Sequence, residues 1–271
     1  MKKYWLLFGL SLVLFPVLAQ SDEEIFAEKM RLPRGRDVAE TALTMARSFL
    51  DAPYVSGTLE SPTGDEQLVV NLREFDCTTF VENALALAQT RHAEKPDFQS
   101  FKTHLQHLRY RDGRIQGYAS RLHYFSDWLA ENTGAGRLVN LTGLFGGEPI
   151  NKAVYFMTAH RNQYASLSNS LIYEAMSGRE EEINRRGVFF IPKHKMRSLE
   201  GQLQDGDLIG ITSSKPGLDV AHEGFVLRRN DRAYLLHASS ESGRVVLTFS
   251  PLSEYLIRNS GRSGIMVARL R

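Results

Sequence analysis

The chain has 271 residues, 33 basic against 31 acidic side chains, and an apolar content of 42%. That length suits one large domain or two small ones, and the composition is that of an ordinary globular protein. A near-neutral chain offers no footprint for a nucleic-acid partner, which would ask for a strong basic excess.

At the N-terminus, Met1-Lys2-Lys3, an apolar run from Tyr4 to Val17 and the pattern Val17-Leu18-Ala19 make up the parts of a secretory signal peptide. A membrane anchor is the alternative, since the run approaches the ~18 residues of a span. The charges of Asp22-Glu23-Glu24 follow at once and favour cleavage. Removal of 1–19 is expected to leave one periplasmic or secreted domain, 20–271, with 31 basic and 31 acidic residues and no membrane attachment.

Apolar residues at helical spacing predict a helix over Arg36–Leu50, stopped by Asp51-Ala52-Pro53. Residues 54–76 read as extended and loop-rich. Asp76 can cap a helix from Cys77 to about Thr90, with Phe80, Val81, Ala84, Leu85 and Ala88 on its buried face. Further helices are expected over Phe98–Leu108, Arg121–Asn132 and 166–185, the last with a possible break at Gly178. From Gly187 the pattern changes to short β-branched and aromatic runs between turn residues, with one more helix at Leu252–Arg258. Helices first and an antiparallel meander afterwards predict an α+β domain.

Cys77 is the only cysteine, where an exported chain normally carries pairs. It is an intermolecular disulfide partner, a buried inert thiol or a nucleophile. A position in the first helical turn favours the thiolate through free N–H groups and the helix dipole.

Of eight histidines, His222 and His237 alone fall in strand-like segments, "DVAHEGFVLRR" and "RAYLLHASS". A two-residue loop at Arg229-Asn230 pairs them directly, and one at Asn230-Asp231 makes them diagonal neighbours. Either way they share one sheet face, because side chains alternate with period two. Asn-Asp is the better turn chemistry and favours the diagonal register. With Cys77 as nucleophile, His222 would be its base and His237 the residue that orients the base. The rival reading is a zinc ion on Cys77, His222 and His237, which no CxxC or HxxxH cluster supports.

"DCTTFVE", "DVAHEGFV" and "LLHASS", in that order, resemble the NlpC-type papain-like cysteine peptidases and amidases. The resemblance implies a cysteine-bearing helix packed on an antiparallel β-sheet, with Cys77, His222 and His237 as the catalytic set and no cofactor. Together with "PYVSGTLE", "RLHYFSDWL" and "PLSEYLIRN" these stretches are similar to the bacterial N-acetylmuramoyl-L-alanine amidase-like branch. That branch cuts the amide between N-acetylmuramic acid and L-alanine, so peptidoglycan or a muropeptide is the expected substrate. The chain departs from compact relatives in the separation of Cys77 and His222 by 145 residues (222 − 77), which implies a largely helical insertion at about 92–186.

Softer candidates for substrate contact are Tyr54, Asp76, Arg121, Tyr124 and Ser239. Arg121 and Tyr124 lie three apart on the expected helix, where a guanidinium and aromatic rings could meet a sugar or carboxylate. Asp76 has its capping role as a sufficient alternative, and Ser239 has the end of a strand as its alternative. Two rivals remain open: a γ-D-glutamyl–diamino acid endopeptidase with the same triad, and a non-catalytic cell-wall-binding module.

Overall fold

The computed structural model describes residues 20–60 and 65–271; the expected signal peptide lies outside them. No helix among the described residues is long and apolar enough to cross a membrane. The N-terminal helices are α1 (Asp22–Lys29), α2 (Val38–Arg47), α3 (Cys77–His92) and α4 (Phe98–Arg109). Next come α5 (Phe125–Gly134), β1 (Leu138–Asn140), β2 (Glu148–Pro149), α6 (Phe156–Ala159) and α7 (Ser170–Arg186). The remainder is β3 (Phe189–Pro192), α8 (Met196–Leu199), β4 (Leu208–Ser213), β5 (Val220–Arg229), β6 (Arg232–Ser239), β7 (Arg244–Leu247), α9 (Leu252–Ile257) and β8 (Arg262–Leu270).

The strands form one antiparallel sheet in the order β2-β3-β8-β4-β5-β6-β7, with β1 also on β8. This is the expected α+β arrangement. Strands β4 to β7 make a meander, and β8 returns across β4 to close its far side. On one sheet face Phe225, Leu227, Leu236 and Ala268 join Phe80, Leu85 and Phe101 in the main core. Val226, Leu235, Ile209 and Val267 on the other face meet Leu252 and Leu256 of α9.

Helix α3 starts where its sequence says it should. The Asp76 side chain accepts from Thr79 N–H at 2.8 Å, and Thr79 Oγ1 accepts from Asp76 N–H at 2.9 Å. This reciprocal cap fixes Cys77 as the first helical residue. The helix is buried nearly all round, because α2 and α4 flank it while β5 and β6 lie beneath. Its one buried carboxylate, Glu82, is neutralised by Arg109 of α4 at 2.6 Å, since a charge there without a partner would be prohibitive.

Two helical expectations change. The helix expected from Arg121 begins only at Phe125, and Arg121 to Tyr124 are extended or turn. The helix near 166–185 runs unbroken through Gly178 as α7, where a side chain would meet nothing within 4 Å. Helix α1 was hidden by its acidic composition, which gives no apolar stripe: only Phe26 is buried.

Candidate active site

Strands β5 and β6 are joined by a tight turn at Asn230 and Asp231, whose φ values are 47° and 60°. Both central residues are thus left-handed, as a turn matched to strand twist requires. The turn sets Arg229 opposite Arg232 and Phe225 opposite Leu236. This is the diagonal register, and His222 and His237 share a face: His222 Nε2 and His237 Nδ1 are 2.5 Å apart, with the rings nearly perpendicular at 83°.

Two features let the imidazoles meet. Gly224, opposite His237 in this register, leaves the space where a Cβ would come within 2.9 Å of His237 Cβ. A bulge between Ile211 and Thr212 shifts the β4–β5 register just beyond His222. If His222 Nε2–H donates to His237 Nδ1, the lone pair of His222 is left on Nδ1, ready to accept a proton.

The imidazoles share the face of Val226 and Leu235, away from the face on which α3 packs. His237 lies against Tyr255 of α9, ring centres 5.7 Å apart. Cys77, on the α3 side of the sheet, meets β5 where its ladder with β6 ends. Pairing of β5 with β6 stops at Phe225 and Leu236. Val226 N–H bonds to Asp207 O ahead of β4, so by alternation Glu223 N–H points the other way, toward β6. With no β6 partner there, this N–H faces the Cys77 sulfur and favours its anion. Tyr255, from the far face, also senses the charge of Cys77.

The electrostatics are those of a neutral pair. Burial pushes the Cys77 thiol well above its ordinary value, followed by the carboxyls of Glu223 and Asp76, against which the N–H of Glu223 is a smaller effect. The expected gain from the helix start is outweighed. Burial, and then the charge of Arg262, hold His222 down to about 4. Burial, His222 and Arg262 take His237 to about 3. A protonated thiol and an unprotonated imidazole are the resting states that base-assisted attack requires.

Glu223 was missed in the sequence. It is buried beneath the first turn of α3, where Thr78 Oγ1 donates to its Oε1 at 2.7 Å. Burial raises its carboxyl to about 8, helped by Glu82, Asp76 and Asp219. It therefore carries a proton at neutral pH, and its push on the thiol is felt only in alkali. Its only sequence signal is a carboxylate between His222 and Gly224 on the strand side that carries Ala221, Phe225 and Leu227.

Of the softer candidates, three lie at the site. Tyr54 is held by bonds of its neighbours to Phe75, and its phenol senses Cys77 and Asp76. Ser239 lines a cavity of about 420 Å³ with His222, His237 and Tyr255. Asp76 and Thr78, on either side of Cys77 in the chain, line a smaller cavity of about 150 Å³.

The other two need correction. Tyr124 is 3% exposed, and its hydroxyl donates to Glu180 at 2.6 Å while accepting from Met157 N–H at 2.8 Å. It is a buried strut, as are Phe125 and Trp128, so this segment offers none of the three rings for stacking on a sugar. Arg121 is buried against Glu60 and Glu66 at 3.0 and 3.3 Å and is not on a helix surface. It reaches the smaller cavity as part of a paired network. The zinc reading finds no cluster of three His, Cys, Asp or Glu ligands among the described residues.

A family model described as AmiA-like, N-acetylmuramoyl-L-alanine amidase-like, matches residues 44–265. An N-acetylmuramoyl-L-alanine amidase from Bacteroides uniformis is 37% identical, over 86% of this chain and 99% of its own, with a TM-score of 0.80. A Bacteroides fragilis protein provisionally called a xylanase is also 37% identical, over 84% of this chain and all of its own, with a TM-score of 0.77. A Legionella pneumophila protein, 21% identical over 92% of this chain and 93% of its own, shares the fold at a TM-score of 0.65. Among curated proteins no match is found. The model match spans most of the chain and both sides of the thiol–imidazole site, and the protein belongs to the AmiA-like family of N-acetylmuramoyl-L-alanine amidase-like proteins.

Proposed function

We propose that the protein is an exported cysteine amidase with a papain-like, NlpC-type site, acting in the periplasm or outside the cell. Its bond is the amide between N-acetylmuramic acid and L-alanine in peptidoglycan or its fragments. The observation that carries this reading is the imidazole pair at 2.5 Å beside the parted strands that admit Cys77. Binding a wall polymer would need neither a thiol nor two desolvated histidines.

In this mechanism His222 Nδ1 takes the thiol proton as sulfur attacks the lactyl carbonyl. His237 holds the base in its productive tautomer. The cap of α3 engages Thr79 N–H, and Asp76 O accepts from Phe80 N–H. Among the described residues this leaves Cys77 and Thr78 N–H for the tetrahedral oxyanion. His222 then returns the proton to the leaving amine of L-alanine, giving a thioester. Water, deprotonated by the same imidazole, attacks it to release the muramyl acid and restore the thiol. Sugar-bond hydrolysis, the second relative's provisional name, asks for two carboxyl groups flanking the bond. The imidazole cavity offers one, Glu241, among its described lining residues.

Mass spectrometry of a muramyl-peptide digest tests the reading. The expected products are a free muramyl acid and a peptide with an L-alanine amino terminus. Cleavage after D-glutamate would establish the endopeptidase instead. Cys77→Ala should abolish turnover in a folded protein, and residual activity within about tenfold of wild type, ~1.4 kcal/mol of barrier, would remove the nucleophile.

A further inference from the structure

The 420 Å³ cavity that holds the imidazole pair has two cations on its wall, Arg262 and Lys215. Each lies over an aromatic ring. Arg262 sits 3.7 Å above Tyr255, and Lys215 Nζ is 4.3 Å from the centre of Phe156. Among the described residues neither has a carboxylate within ion-pair distance. Arg262 donates one N–H to the carbonyl of its own stacking partner, Tyr255. A guanidinium has five N–H donors in a fixed fork, so most of its capacity is unspent. Its charge reaches both His222 and His237.

We infer that Arg262, assisted by Lys215, forms a carboxylate subsite beside the imidazole pair, which reads an acidic residue in the peptide leaving group. The inference rests on the amidase reading for which part of the substrate lies there, though not for the anion site itself. Stacking on Tyr255 prepays the order of a flexible side chain. A surface-directed arginine held by a carboxylate would not leave its fork free for a ligand. Glu241, the one acid in the lining, disfavours a second negative charge at its own edge and leaves the arginine side as the place for one.

The test compares two ligands that differ by one carboxylate: L-alanyl-D-glutamate and its α-amide, L-alanyl-D-isoglutamine. Calorimetry on the full protein should show the acid binding about ten- to a hundredfold more tightly, the range of one charged hydrogen bond. Arg262→Gln should bring that ratio close to one, Arg262→Lys should keep part of it, and Lys215→Met should lower it. The same ratio should appear in kcat/KM for the two muramyl-dipeptides. Equal binding of acid and amide by wild type overturns the subsite, and so does a ratio unchanged in folded Arg262→Gln. Should Arg262→Gln fail to fold by circular dichroism, the wild-type ratio and Lys215→Met still decide. Preference for the acid dipeptide without cleavage of either muramyl substrate would retain the subsite and sink the amidase. Cleavage of both at one rate would do the reverse.

Discussion

At the scale of single residues, the site depends on which groups are neutral. His222 is held down to about 4 by burial and Arg262, so it stays unprotonated well into acid, as the proposed base must. Its folded value is depressed, and its contribution to stability is present above the ordinary histidine range and lost as pH falls toward 4. His222→Ala should be nearly as damaging as loss of the thiol, because base and nucleophile act as a unit. His237→Asn should be milder, since an amide can still hold Nε2; the opposite order in kcat/KM would exchange their roles. Glu223 works in the other direction. Its raised value means that its stabilising part is intact in acid and lost progressively between the ordinary carboxylate range and about 8. Activity should fall above pH 8 as its charge appears beside the thiol. Glu223→Gln keeps an acceptor for Thr78 and should move that alkaline limb upward; a pH profile identical to wild type would exclude Glu223 from it.

Elements show why some of this could be read from the chain and some not. Cys77 and the histidine pair follow from rules that depend only on near neighbours: a cap at Asp76, a two-residue turn, and period-two alternation. Arg121 and Tyr124 were misplaced because "RLHYFSDWL" has helical spacing, while tertiary contacts with Glu60, Glu66 and Glu180 settle its first four residues. Nothing local announces such partners, 55 or more positions away. Glycines separate the two kinds of constraint. Gly224→Ala would bring a Cβ within 2.5 Å of Leu236 O as well as onto His237. It should cost ~1–3 kcal/mol of overpacking and most activity. Gly178→Ala, in open space on α7, should instead stabilise by about 1 kcal/mol. Thermal melts of the two variants that moved together would undo this distinction.

For the whole molecule, the region between the thiol and the sheet is less an appendage than part of the main core, to which it contributes Leu105, Trp128 and Ile183. Its expected substrate contacts are Arg121 and Tyr124. It meets the cleft elsewhere, at the β4–β5 loop. Lys152 Nζ donates to the carbonyls of Ser213, Lys215 and Leu218, and Tyr155 and Phe156 N–H both donate to Gly217 O. Ser213, Lys215 and Leu218 in turn line the imidazole cavity. Lys152→Met should therefore raise KM more than it lowers kcat and speed amide exchange across 213–219. Unchanged exchange there would show that the loop stands without its clamp.

The parting of β5 from β6 gives the protein a built-in spectroscopic probe. Glu223 N–H faces the sulfur that the proposed mechanism turns into a thioester at each turnover, and the neighbouring ladder at Phe225 does not change partners. A nitrogen-15 spectrum should thus show one sheet amide whose resonance moves with the chemical state of Cys77 while the amide two residues along stays still. Free thiol, alkylated thiol and trapped acyl-enzyme become distinguishable without a chromogenic substrate, and a slow deacylation could be followed in the protein's own signal.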